Sequence, residues 1–470
     1  MGFLYGTAFA VFYALFGIPL GRLADVWDRR RLIAFGLSAW SMMTAGSALA
    51  RTFTQLTAAR IGVGIGEASA NPAAYSLLSD YFPPSKRASV LGLYSSGIYI
   101  GAGIGLGIGG LIVNRWDAAF GAAAPLGLRG WQVAFMAVGL PGLLLALWVH
   151  TLREPVRGQS EGLIDPGTHA HPFREFGREL RAVLPPFTIL HLILMRAGVR
   201  QVLGNLCAAG LIAALAAALI ATLGTPAQWI ALGIGLYATV SWAQALARRD
   251  RPTFALVFHT PTLRYAALGF SLLAFTGYGV GFWVPPFFIR VHGVSEAQAG
   301  FILGGTAAVA GWLGVTLGGV WSDRWRHRAP AARFYVGMLT GLLPLPFLAW
   351  MLLTDNTTLA YVLNVPLGIL SSMWIGPGAS TLQDLVLPRM RAIASAAYLL
   401  VVTFIGLALG PYTIGRLSIA FGSLRTAMLV ALAANTLAVL CLFLASRHLV
   451  RDEATRLDRA RDAGEDTAGM

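Results

Sequence analysis

Arg60 and Glu67 are the two ionisable residues of the apolar stretch 56–78, and Glu67 is the only acidic residue near the middle of any long hydrophobic segment. A charge at that depth is costly, and it faces a cavity, a partner or a transported species. Seven residues make two helical turns, so both side chains project from one face, about 10 Å apart along the axis. Three kinds of chemistry fit the pair. Glu67, desolvated and opposed by Arg60, could take up and release a proton as its surroundings change. Arg60 could instead grip an anionic group in a forked, bidentate contact. The bland alternative is a structural ion pair to a neighbouring helix.

The rest of the sequence says what positions them. Of 470 residues, 56% are hydrophobic and only 12% charged, against about 25% charged in a soluble domain. The composition is that of a polytopic, all-α membrane protein. A net charge of +14 raises nucleic acid as a partner. The arginines, however, sit in short loops on alternate sides of hydrophobic spans, which excludes that reading and fits the positive-inside pattern. Cys207 and Cys441 lie in apolar stretches with no metal-ligand spacing, and no cluster suggests hydrolysis, so no enzyme and no cofactor are expected.

Spans are separable at about 3–22, 32–50, 56–80, 88–113, 131–150, 204–223, 226–246, 264–289, 299–321, 333–353, 358–382, 392–416 and 424–446. Arginine-rich loops at 25–31, 80–89, 151–158, 247–252, 322–328 and 387–392 place that face in the cytoplasm. The amino terminus then falls outside with no polar segment before it, which suggests a missing first helix. REFGRELRAVL at 174–184 has amphipathic spacing ended by Pro185-Pro186, an interfacial helix. The charged end 447–470 reads as a solvated, partly disordered cytoplasmic tail.

The chain repeats itself. Gly21-Arg-Leu-Ala-Asp25 with Arg29, Arg30 and Arg31 returns as Gly319-Val-Trp-Ser-Asp323 with Arg324, Arg326 and Arg328. Asn71-Pro72, Asp80, Pro83 and Arg87 return as Gly376-Pro377, Asp384, Pro388 and Arg391. Matching loops on a doubled bundle are the mark of transporters built from parallel repeats, with the substrate site between them.

These residues resemble the loop motif G-x-L-a-D-[RK]-x-G-[RK]-[RK] of the major facilitator superfamily. RIGVGIGEASANPAAYSLLSDYFP and GFWVPPFF look more narrowly like bacterial spinster-type members. The resemblance implies two six-helix halves: an amino-terminal bundle (1–150) missing its opening helix, and a carboxy-terminal bundle (247–446). Between them lie a linker (151–203) and two extra spans (204–246). It implies secondary transport by alternating access across the cytoplasmic membrane, with a small or lysolipid-like, anionic substrate, a proton gradient in place of a cofactor, and a monomer among membrane lipids. Drug or organic-anion efflux, or a receptor or inactive remnant, are the other readings.

Asp25 ends a helix, where its charge meets the negative end of the dipole. It needs Arg29, Arg30, Arg31 or Arg87, or the amino end of a helix in the other half. Such a contact would close the cytoplasmic face, with Asp323 and Arg324 as its mirror; otherwise these charges serve topology alone. Asn71, Tyr94, Tyr278, Trp283 and Trp374 could line the cavity, against a reading as interface anchors or packing. Gly101, Gly105, Gly410 and Pro411 are expected to let helices pack closely or bend.

Overall fold

The computed structural model describes residues 9–163 and 171–466. The first six residues of the expected opening span (3–22) therefore lie outside the described residues. The first half comprises α1 (Phe9–Val26), α2 (Arg29–Ser47), α3 (Phe53–Glu67), α4 (Ala70–Tyr81), α5 (Arg87–Phe120) and α6 (Gly130–Thr151). The linker holds α7 (Pro172–Val183) and α8 (Phe187–Leu194), separated by the Pro185-Pro186 break. Next come α9 (Val199–Leu223), α10 (Pro226–Arg249) and the short α11 (Arg251–Phe258). The second half runs through α12 (Pro261–His292), α13 (Glu296–Arg326), α14 (Ala332–Leu342), α15 (Pro344–Leu353), α16 (Thr357–Ser372) and α17 (Ile375–Leu385). It ends with α18 (Arg391–Val401), a π-helical stretch (Val402–Leu409), α19 (Gly410–Phe421), α20 (Leu424–Ala431), α21 (Ala433–Ala454) and α22 (Arg456–Asp462). Ten helical stretches among the described residues are long and apolar enough to cross a membrane.

Two spans break at equivalent points of the repeat, α3/α4 at Ala68-Ser69 and α16/α17 at Met373-Trp374. Pro72 and Pro377 each fall in the first turn after the break, where a missing N–H costs no hydrogen bond. Glu67 is thus the last residue of α3, beside an interruption rather than within a continuous helix. Close backbone approach holds the broken span: a Cβ on Gly66 would stand 2.9 Å from the Trp40 nitrogen of α2.

Three expectations are corrected. Helix α12 runs through Pro285 and Pro286 to His292 instead of ending at them. The two carbonyls the prolines leave without a helical donor belong to Gly281 and Phe282, both exposed. Second, the segment after 447 is not a loose tail in the described residues. α22 packs inward, with Ala460 fully buried and Arg459 donating to Thr260 and, at 2.6 Å, to the Asp452 carbonyl. Third, Gly101 and Gly105 pack against nothing, since a Cβ on either would meet open space. Gly92 and Gly103 of the same helix make the approach to α13 instead: a Cβ on Gly92 would stand 2.8 Å from the Val315 carbonyl.

Candidate functional site

The two halves meet at their arginine-rich face through a reciprocal construction. Asp25, at the end of α1, accepts the backbone N–H groups of Ala392 and Ile393 at 2.9 and 2.8 Å. Those are free donors of the first turn of α18, in the other half, where the helix dipole favours a negative charge. Asp323, at the end of α13, does the same to α5 of the first half. It accepts Ala88 N–H at 3.2 Å, Ser89 N–H at 2.7 Å and the Ser89 hydroxyl at 2.7 Å. Each aspartate follows a glycine by one helical turn because nothing larger fits there. A Cβ on Gly21 would meet the Ala392 carbonyl at 2.9 Å, and one on Gly319 would overlap the Ala88 carbonyl.

The arginines opening those two helices cross as well. Arg87 pairs with Asp384, and Arg391 pairs with Asp80 at 2.7 Å, all four side chains buried. Arg29 also binds Asp80, and adds Glu154 at 2.7 Å and the Pro155 carbonyl at 3.1 Å. Arg30 stays on its own half, donating to the Leu152 carbonyl at 2.8 Å and to Asp28 at 3.1 Å. Arg324, the expected mirror partner, is exposed and makes no ion pair among the described residues. The second-half loop is longer, so its next helix opens at Ala332. Arg333 therefore takes the place that Arg29 holds in the first half, binding Asp384 beside Arg326.

One loop of the linker lies across both crossings. Gly158 donates its N–H to Asp80 at 2.9 Å, and Arg157 caps the end of α1 through the Ala24 and Trp27 carbonyls, both at 2.7 Å. Glu161 receives Arg87 at 2.8 Å, Arg391, and Arg456 of α22 at 3.4 Å. Burial pushes the Glu161 carboxyl up, but Arg391, Arg87 and Arg456 together hold it below the usual range. A second tie uses Asp250, which joins Arg22 of α1 at 3.4 Å and Arg389 at 3.0 Å. Burial opposes its charge, yet Arg389 and Arg22 bring its pKa down to about 2.

Arg60 and Glu67 occupy a different environment. Both are half-buried, and neither has an ion pair or hydrogen bond among the described residues. Glu67 lies within electrostatic reach of Arg60, Tyr13 and Tyr94. Asn71 joins the two tyrosines, donating to the Tyr13 hydroxyl at 2.9 Å and accepting from Tyr94 at 3.1 Å. Tyr75 meets Tyr94 edge to face, 5.8 Å between ring centres. Tyr75, Tyr278 and Tyr398 are in turn electrostatic neighbours, so the cluster draws on both halves. Tyr94 and Tyr278 are each 37% exposed in mid-helix, whereas the Tyr398 hydroxyl is buried with no hydrogen-bond partner among the described residues.

Two proposed cavity residues belong to packing instead. Trp374 is buried and stacks on Phe270 at 6.1 Å. Trp283 donates to the Pro411 carbonyl at 2.8 Å and covers Gly415. Gly410 does pack closely, against the Phe275 carbonyl. Asp80, Asp384 and Arg391 stood in the repeat without being assigned a role, although the Asp-to-Arg spacing, the same at Asp80–Arg87 and Asp384–Arg391, was a usable signal. Glu161 and Arg333 carried none, having no counterpart at matching spacing.

The Major Facilitator Superfamily model matches residues 2–411. The chain belongs to this superfamily. It is 25% identical over 459 residues to an MFS-type efflux pump of Mycolicibacterium smegmatis, covering 96% of this chain and 85% of that protein. It is 25% identical over 435 residues to human protein spinster homolog 1, covering 88% of this chain and 65% of that relative. A crystal structure of a bacterial homologue of the human lysosomal transporter spinster, inward-facing and occupied, superposes with a TM-score of 0.57. That likeness has 26% identity and covers 96% and 89% of the two chains. This superfamily member is a multi-pass membrane protein of the spinster-like branch, a secondary transporter rather than an enzyme, acting on a small-molecule substrate.

Proposed function

We propose that the protein moves a small or amphiphilic substrate across the cytoplasmic membrane by alternating access, with its arginine-rich face in the cytoplasm. The observation that supports this most is the pair of reciprocal locks, Asp25 on α18 and Asp323 on α5. Two aspartates capping helices of opposite halves make a contact that is either whole or broken, as a gate requires. In this reading the intact caps are the closed state of a cytoplasmic gate. Opening it exchanges these contacts for water, and the substrate leaves or enters between the halves.

The substrate site in this reading is the tyrosine cluster with Asn71, bordered by Glu67 and Arg60. Glu67 couples transport to a proton gradient, because an unpaired carboxylate there gains or loses its proton as the surrounding water changes. Arg60 attracts an anionic substrate group, as a lysolipid-like amphiphile would carry. Efflux of drugs or organic anions is the second reading, favoured by the mycobacterial efflux pump that aligns along most of both chains. Purified protein in liposomes under an imposed pH gradient separates them: a labelled lysolipid moves in the first case, a fluorescent organic anion in the second. Gradient-driven movement that survives Glu67→Gln would remove Glu67 from the coupling.

A further inference from the structure

The two spans between the halves have no counterpart in the repeat, and their contacts define a task. Side chains of α10 reach across to the π-helical stretch Val402–Leu409 and the start of α19. The buried Gln228 side chain donates to the Ala408 carbonyl at 3.1 Å. The Phe404 ring fills the space a Cβ on Gly235 would need. Trp229 and Tyr412 meet edge to face at 5.2 Å, and Thr225 hydrogen-bonds the Tyr412 hydroxyl at 2.9 Å. The opposite side of the stretch presses on α12. There a Cβ on Gly406 would stand 2.7 Å from Ala274 and 3.3 Å from the Tyr278 ring.

A π-helical turn carries one residue more than an α turn and weakens the regular ladder, so it holds its form only when neighbours fix it. Here the neighbour is itself fixed. Asn205 of α9 donates to Ser241 and Gln244 of α10, both at 2.8 Å, and accepts Tyr237 at 2.8 Å. Glu179 of the linker helix α7 accepts Trp242 Nε1 at 3.0 Å and pairs with Arg249.

We propose that the α9–α10 hairpin is a buttress that holds the π-helical stretch and, through Gly406, sets the position of Tyr278 in the tyrosine cluster. Gln228 is then a positioning residue, acting on the cluster through Ala408 without touching it. The functional weight of this rests on the tyrosine cluster being the substrate site; the mechanical coupling does not.

The test uses full-length protein with Cys207 and Cys441 replaced by serine and a single reporter, Tyr278→Cys, labelled with a water-soluble maleimide. Gln228→Met removes the donor at nearly constant volume, and Phe404→Ala independently removes the ring seated on Gly235. Each should change the labelling rate at 278 several-fold, while a control reporter, Phe301→Cys at the exposed end of α13, keeps its rate. An unchanged rate at 278 in either folded variant overturns the buttress, and so does an equal change at 301, which would mean general loosening. If the rates respond but Tyr278→Ala transports normally, the buttress stands and the substrate-site reading falls.

Discussion

The arginine-rich face and the middle of the bundle both hold ionisable side chains away from bulk water, but they treat them differently. At the face, Asp25, Asp80, Asp323, Asp384 and Glu161 each have two or more donors: those of Asp25 and Asp323 come from the opposite half, and those of Asp80, Asp384 and Glu161 from both. In the middle, Arg60 and Glu67 have none among the described residues. Buried charge that is fully satisfied fixes a geometry, whereas charge left unsatisfied is available to something that arrives and departs. In the proposed function the first region is a latch and the second a receptor.

Breaking a buried pair should cost most where partners are most numerous. Arg391→Ala takes from Asp80 its donor in the other half and leaves Glu161 to Arg87 and Arg456, and removing one partner of a buried pair costs up to about 3–5 kcal/mol. Its thermal midpoint in detergent should fall by several degrees, and a loss no larger than that of Arg30→Ala would contradict the latch. Acid should act next. The Asp250 carboxyl, at about 2 when folded, contributes stability that is whole above its unfolded pKa of about 3.9 and disappears as pH falls through 2. That contribution is about 2 kcal/mol by linkage, so Asp250→Asn should flatten the stability profile between pH 5 and 2.

The receptor region should behave in the opposite way. Glu67→Gln should shift folding stability by no more than about 0.5 kcal/mol, as for a side chain that holds nothing in place. The same variant should abolish gradient-driven transport in liposomes, and a large thermal shift would return Glu67 to a structural role. Arg324→Ala sets the zero of the scale. It should leave both stability and transport as they are.

Apolar run length marked ten helical stretches that are long and apolar enough to cross a bilayer; the expected spans at 3–22, 32–50 and 56–80 fall on helices outside those ten among the described residues. The repeat told more than the composition did. It located the glycine and aspartate of both locks, and dipole reasoning at Asp25 raised the amino end of a helix in the other half as a partner. Loop length defeated it at Arg324, since a few extra residues before α14 hand the pairing to Arg333. Non-local contacts defeated it at Glu161, which gathers arginines from far along the chain, and at α22, which reads as solvated but whose own Arg456 and Arg459 reach Glu161 and Thr260. Gly101 and Gly105 failed for a related reason: spacing identifies a small-residue stripe but not whether a second helix lies against it.

Whether the reciprocal aspartate caps hold the arginine-rich face shut is decided most directly by distances measured across it. Spin labels at Arg31 and Arg324, exposed positions on opposite halves, would report that separation by pulsed electron resonance. With Asp25 and Asp323 intact, the account predicts one dominant short distribution. With Asp25→Asn and Asp323→Asn combined, it predicts a second, longer distribution of comparable weight. An identical distribution in the two proteins, both folded, would contradict it.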